Sequence, residues 1–370
     1  MVKIDKKNIL KSKKFWLYSS IVYLFIAIFC IFLVGNADSF KLDENGNLIK
    51  EIVVKKIPPL DKADYDKRLY MLAGYSTTSY AALLVATTTS TSTKPKLWPV
   101  KTVYPNAGAI LPFNRVVAYY GNLLSTGMGV LGEYPENEML AKLDAEVQKW
   151  TLADPNTPAI PALDYIVVTA QGSKGVDGKY RLRMPDTEIS KILAMANKIN
   201  GLVILDIQVG LSTIQDELPL LEKYIKMPNV HIAIDPEFSM KNGERPGVDY
   251  VGTYDASDIN YVINYMAKIV NDNNLTPKIL VVHRYRQYMV TNYKDIKIVP
   301  EVQVVMDMDG WGQKAGKLAT WQNYIYKEPV QFAGFKLFYK NDINKTTGTG
   351  MMTTEEILKL TPHPVYIQYQ

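Results

Sequence analysis

The chain has 370 residues, 47% hydrophobic and 21% charged, enough apolar material for one large core and too much for a disordered chain. The net charge of +5 comes from residues 1–14, which hold six lysines (Lys3, Lys6, Lys7, Lys11, Lys13, Lys14) and one acid, Asp5. The remaining residues are balanced, so no basic footprint for nucleic acid is present.

That basic segment leads directly into residues 15–34 (FWLYSSIVYLFIAIFCIFLV), twenty residues without a charge. At 1.5 Å per residue they span the hydrocarbon core of a bilayer, roughly 30 Å. Lysines on the N-terminal side predict a cytoplasmic N-terminus and a body outside the cytoplasm, tethered to the lipid bilayer. The alternative is a signal peptide cleaved near Gly35-Asn36-Ala37, but its apolar core usually runs about 7–15 residues. Cys30 is the sole cysteine and lies inside the apolar run, so the exported body has no disulfide.

Three regions are expected: residues 1–37 as basic segment and transmembrane anchor, 38–96 as an extracytoplasmic linker region, and 97–370 as the folded body. Asn45-Gly46 signals a hairpin in the linker, residues 61–74 a short amphipathic helix, and the Ser/Thr run 86–95 a flexible spacer. Residues 98–113, with Pro99, Pro105 and Pro112, read as an irregular lead-in packed on the body.

Eight short apolar runs follow: 115–121 (RVVAYYG), 163–170 (LDYIVVTA), 202–208 (LVILDIQ), 230–237 (VHIAIDPE), 278–284 (KILVVHR), 302–309 (VQVVMDMD), 330–339 (VQFAGFKLFY) and 364–370 (PVYIQYQ). Helical patterns separate most of them, near 136–152, 185–199, 213–226, 255–271, 314–326 and 353–360. Asp255 suits an N-cap. The connection 285–300 reads mostly as loop, and no helix follows the eighth run, a gap that the lead-in or residues 61–85 could cover. Alternation of this kind predicts an α/β fold, a TIM-like (β/α)8 barrel, whose functional groups collect at the C-terminal strand ends.

Side chains alternate along a strand, so Asp235 and Glu237 are expected on one face of the fourth run. Like charge and partial burial raise a carboxyl pKa, as a general acid requires. Asp206 and Gln208 share a face of the third run, and Asp307 and Asp309 one of the sixth. Lys336 interrupts the seventh run and Gln368 the eighth, while Gln171 follows the second. His283 and Arg284 end the fifth, and alternation leaves open which of them points inward. Tyr119 and Tyr120 at the end of the first run, Trp311 after the sixth, and Tyr339 and Tyr369 at the ends of the last two offer flat faces for stacking on sugar rings. Asp206, Asp307 and Asp309 are residue types that a hard cation takes. No paired His or Cys spacing for zinc exists, however, and no metal and no cofactor is expected.

The segment Asp235-Pro236-Glu237 resembles the end of the chitinase-like glycosidase signature D-x-x-D-x-D-x-E, with Val230 and Ala233 at the first two acidic positions. That resemblance implies Glu237 as general acid. The stretch from about residue 97 to 370 also resembles a group of exported or membrane-anchored bacterial barrel proteins, through VAYYGN, MGVLGEYP, LDIQVG, IDPEFSM, VVHR, VMDMDGWG, GFKLFYKND and YIQYQ. The expected function is action on, or binding of, a polysaccharide or peptidoglycan-like glycan. Glu237, Asp235, Asp307 and Asp309 are the candidate catalytic residues. A non-catalytic glycan-binding or structural cell-envelope protein is the alternative.

Overall fold

The computed structural model describes residues 40–42, 48–50, 57–85, 96–343 and 350–370. The expected anchor at 15–34 and spacer at 86–95 lie outside these. Among the described residues no helix is long and apolar enough to cross a membrane. Two compact units are present, Met1–Ile57 and Pro58–Gln370. In the first, Phe40–Leu42 pairs antiparallel with Leu48–Lys50, on either side of Asn45-Gly46.

The second unit is a closed barrel. Its strands are β1 Arg115–Gly121, β2 Ala159–Ala170, β3 Leu202–Ile207, β4 Val230–Ile234, β5 Lys278–Arg284, β6 Val302–Met308, β7 Phe332–Leu337 and β8 Tyr366–Tyr369. Each pairs in parallel with the next, and β8 returns to β1. A short strand, Arg181–Arg183, adds antiparallel to the end of β2.

Both faces of these strands are covered, which is why they read as continuous apolar runs. Val203, Leu205 and Ile207 of β3 and Ile232 and Ile234 of β4 join the outer core beneath the helices, whereas Ile204 and Ala233 belong to the inner cluster. The helices form for visible local reasons. α4, Ala256–Asp272, is capped by Asp255 in a reciprocal box with Asp258, and buries Ile259, Val262, Ile263, Met266 and Ile269 along one stripe. α2, Glu136–Ala153, carries Glu136 and Glu138 in its first turn and buries Met139, Leu143 and Trp150. α3, Asp186–Lys198, buries Ile189, Ile192 and Met195. The single helix expected at 213–226 is instead two short helices, Ile214–Glu217 and Glu222–Ile225, joined by a 3₁₀ turn. Pro219 lacks the N–H that a continuous helix needs there.

The inner cluster is a plug. Val116, Ala118, Ala162, Ile204, Ile279, Val281 and Val305 fill the barrel interior, and Tyr65, Leu72 and Leu111 close it from below. Tyr65 and Leu72 come from α1, Lys62–Leu72, so a helix expected in the linker region is part of the body. Gln303 fastens the lead-in: its Oε1 accepts from the backbone N–H groups of Ile110 and Leu111, and its Nε2 donates to Leu111 O. Among the described residues the barrel interior is thus closed at its lower end, and it opens at the C-terminal mouth.

Candidate functional site

A cavity of about 800 Å³ occupies that mouth, bordered by Glu237, Asp235, Asp309, Lys336, Tyr120 and Tyr285 among others. Inward-facing positions two residues apart place these groups in two tiers. Tyr120, Gln208, Asp235, Asp309 and Lys336 reach the cavity; Asp164, Asp206, His283, Asp307 and Gln368 lie in the polar layer beneath it.

β4 stops at Ile234, and Pro236–Phe238 forms a 3₁₀ turn. Glu237 thus reaches the cavity through this turn, not through strand alternation. Asp235 sets the turn by accepting the Glu237 backbone N–H at 2.9 Å. The Tyr285 hydroxyl donates to Glu237 Oε1 at 2.9 Å, which leaves Oε2 to carry a proton. Burial, followed by the nearby Asp309 charge, raises the Glu237 pKa, and burial raises that of Asp235 well above the carboxylate norm.

Asp309 behaves in the opposite way. Burial acts to raise its pKa, but Lys336 and His283 outweigh burial and hold it low. Its Oδ1 lies 3.0 Å from Lys336 Nζ and its Oδ2 3.3 Å from His283 Nδ1. Lys336 also sits 3.8 Å from the centre of the Tyr120 ring, a buried cation–π contact. Gln208 orients Tyr120 by donating to its hydroxyl at 3.1 Å, and accepts from the Ala170 N–H.

In the layer below, the His283 imidazole lies between three acids. Nε2 is 3.4 Å from Asp206 Oδ2, and Nδ1 is 3.4 Å from Asp307 Oδ2. These separations are electrostatic contacts, longer than good hydrogen bonds. All three residues are fully buried, and both oxygens of Asp206 and Asp307 lack hydrogen-bond donors. Hence the place a hard cation would take among Asp206, Asp307 and Asp309 is filled by imidazole. Among the described residues no group of three or more His, Cys, Asp or Glu is arranged to hold a metal ion. Asp164, raised to about 7 by burial and by Asp206, accepts from Tyr366 and Gln368.

Five expected residues lie elsewhere. Tyr119, Tyr339 and Tyr369 face outward, the first two with hydroxyls 3.1 Å apart, and Tyr339 and Tyr369 both reach Glu146 of α2. Arg284 points outward to Glu328 and the Tyr324 carbonyl, which settles the choice in favour of His283 inside. Gln171 sits in the turn after β2, bonded to Thr169 O. Asp307, Asp206, His283 and Gln368 are in the cluster but beneath the cavity, whereas Trp311 borders it and is 69% exposed. Sequence alone did not mark Asp164, Tyr285 or Tyr366, whereas Tyr120 was among the expected aromatics and does border the cavity. A lone acid within the apolar run LDYIVVTA was the available signal for Asp164.

Gly334 of β7 makes room for this layer. A Cβ there would stand 2.5 Å from Asp307 Oδ1 and 3.1 Å from both Val305 and Tyr366. Gly334→Ala is therefore expected to destabilise by about 1–3 kcal/mol through overpacking. Urea denaturation measures it, and an unchanged midpoint would show that the Asp307 carboxylate moves freely.

No protein-family model and no curated protein matches the chain. Among solved structures it is distantly similar to a cellulase, at 13% identity and a TM-score of 0.39, over 70% of this chain and 75% of that one. It is similar in the same way to a GH18 chitinase from Pseudoalteromonas aurantia (11% identity, TM-score 0.33, 70% and 94% covered). A mannanase from Bacillus subtilis gives 11% identity and a TM-score of 0.35, with 73% and 88% covered. Likeness at these identities and scores assigns no activity to this chain.

Proposed function

We propose that the barrel is a carbohydrate-active protein whose mouth hydrolyses a glycosidic bond, with Glu237 as general acid and Asp309 as its ionised partner. One observation carries the reading: two carboxyls border one cavity, and their surroundings push their pKa values in opposite directions. That division is what acid-catalysed glycoside cleavage asks of its two carboxyls. Glu237 protonates the leaving oxygen. Asp309 keeps a negative charge against the positive charge that develops on the sugar ring. Trp311, exposed between two glycines, offers an aromatic face to that ring. Asp235 holds the turn that aims Glu237. Water attacks the sugar carbon as the leaving sugar departs with the Glu237 proton, either directly or by opening the ring formed when a substrate N-acetyl oxygen attacks first.

A second reading, glycan binding without turnover, is favoured by Asp309 itself, since each of its oxygens already faces a cation. The full-length chain should be incubated with β-linked N-acetylhexosamine polymers and peptidoglycan fragments, and new reducing ends counted. Hydrolysis supports the first reading. Binding without new ends favours the second, and neither would sink both.

We also propose that this site works outside the cytoplasm, tethered through residues 15–34, on the strength of their length, apolarity and preceding lysines. Protease added to intact protoplasts is expected to digest the barrel. Full protection, with digestion only after lysis, would place it inside.

A further inference from the structure

The loops after β4 and β5 are stitched together. Tyr254–Asp255 pairs in parallel with Val290–Thr291. Asp255, the cap of α4, accepts a second set of bonds across the gap, from the Thr291 hydroxyl at 2.8 Å and Asn292 Nδ2 at 2.6 Å. Glu237 joins the same assembly, because its carbonyl accepts the Gly252 N–H at 2.7 Å. The consequence is an aromatic pair at the barrel rim. Tyr250 and Tyr288 stack with ring centres 5.9 Å apart and planes 29° from parallel, yet remain 49% and 43% exposed. Two large rings stacked on each other and this exposed are not explained by core packing.

Tyr288 of the pair borders a second cavity beside the central one. Tyr285 and Arg286 border the central cavity. The next two residues, Gln287 and Tyr288, border a second cavity of about 540 Å³ that also meets Tyr293, Asn292, Lys294 and Glu328. Its lining combines ring faces with amide, ammonium and carboxylate groups, which is what a polyhydroxylated ring needs on its apolar faces and its hydroxyl edge.

We infer that Tyr250 and Tyr288 form a distal subsite that stacks a sugar ring of a chain already threaded through the central cavity, so that the ligand is a polymer of several sugars. This rests on the glycan reading above and adds the ligand's length and direction, from the cavity beside Glu237 across the β4 and β5 loops.

The test is binding of β-linked N-acetylglucosamine oligomers of two to six sugars to the full-length chain. Wild-type affinity is expected to rise with length. Tyr288→Ala and Tyr250→Ala should each remove about tenfold of affinity for the longest oligomer and leave the shortest unchanged, since truncating an aromatic anchor costs on this scale. Tyr288→Phe, which keeps the ring face, should retain the gain. Length-dependent binding that neither alanine variant alters would overturn the subsite and leave the glycan reading standing. Absence of binding at every length by the wild type would remove both. Circular dichroism of each variant separates lost stacking from a lost fold.

Discussion

Replacing Glu237 by glutamine is expected to lower hydrolysis by about 10²–10⁴-fold, the usual contribution of one positioned acid, while glycan affinity stays near that of the wild type. The amide keeps the shape, the acceptor for Tyr285 and the turn set by Asp235, and loses only the proton. The wild-type rate should fall as pH rises through the raised Glu237 pKa, and that limb lies above the ordinary carboxyl range because burial and Asp309 both favour the protonated form. Asp309→Asn should lower the rate by a different route, since it removes the charge that Lys336 and His283 hold ionised. A rate that survives Glu237→Gln would remove the residue from proton transfer. If Asp309→Asn left the rate intact, Asp309 could not be the second carboxyl.

The barrel was legible because its strands are buried on both faces and the long helices between them bury periodic apolar stripes. The same double burial hid the phase of each strand. In RVVAYYG every residue is apolar or aromatic beyond Arg115, so nothing in the run tells Tyr119 from Tyr120, yet only Tyr120 faces inward. In VQFAGFKLFY part of the information was present: Lys336 and Phe338, two apart, both border the cavity, and Tyr339 follows in the turn after β7. Tyr339 lies outside, where it meets Glu146. Acid pairs were readable because charge within an apolar run has few destinations. Tyr285, by contrast, lies in a loop, and the bond that matters, to Glu237, joins residues that no spacing connects. The plug made by α1 was invisible for a related reason, as its few apolar residues gain their meaning only from the open barrel end that they close.

The stability of the barrel is expected to depend on His283 more than on any group lining the cavity. The ring is fully buried against Asp206, Asp307 and Asp309, and the oxygens of Asp206 and Asp307 have no other donors. His283→Leu leaves those carboxyls facing one another in a closed, buried layer. Removing one partner of a buried ion pair costs about 3–5 kcal/mol, a large share of a typical stability of about 5–15 kcal/mol. Tyr285→Phe, which deletes one hydrogen bond at the cavity edge, should cost only about 0.5–1.5 kcal/mol. The pH dependence has a definite sign. Burial acts to lower the His283 pKa, but the aspartates override it and raise the pKa well above 6.5. A base raised on folding contributes stability that is fully present below its unfolded value, about 6.5, and is lost as pH climbs through the folded one. Asp164, raised to about 7 by burial and Asp206, acts in the same direction, because the folded chain keeps a proton that the unfolded chain releases above about 3.8. Wild-type stability in urea denaturation should therefore be greater on the acidic side of neutrality and fall toward alkaline pH. A difference from His283→Leu under about 1 kcal/mol at neutral pH, or a wild-type stability that rises from pH 6 to pH 9, would mean that the imidazole is not the cation on which this layer is built.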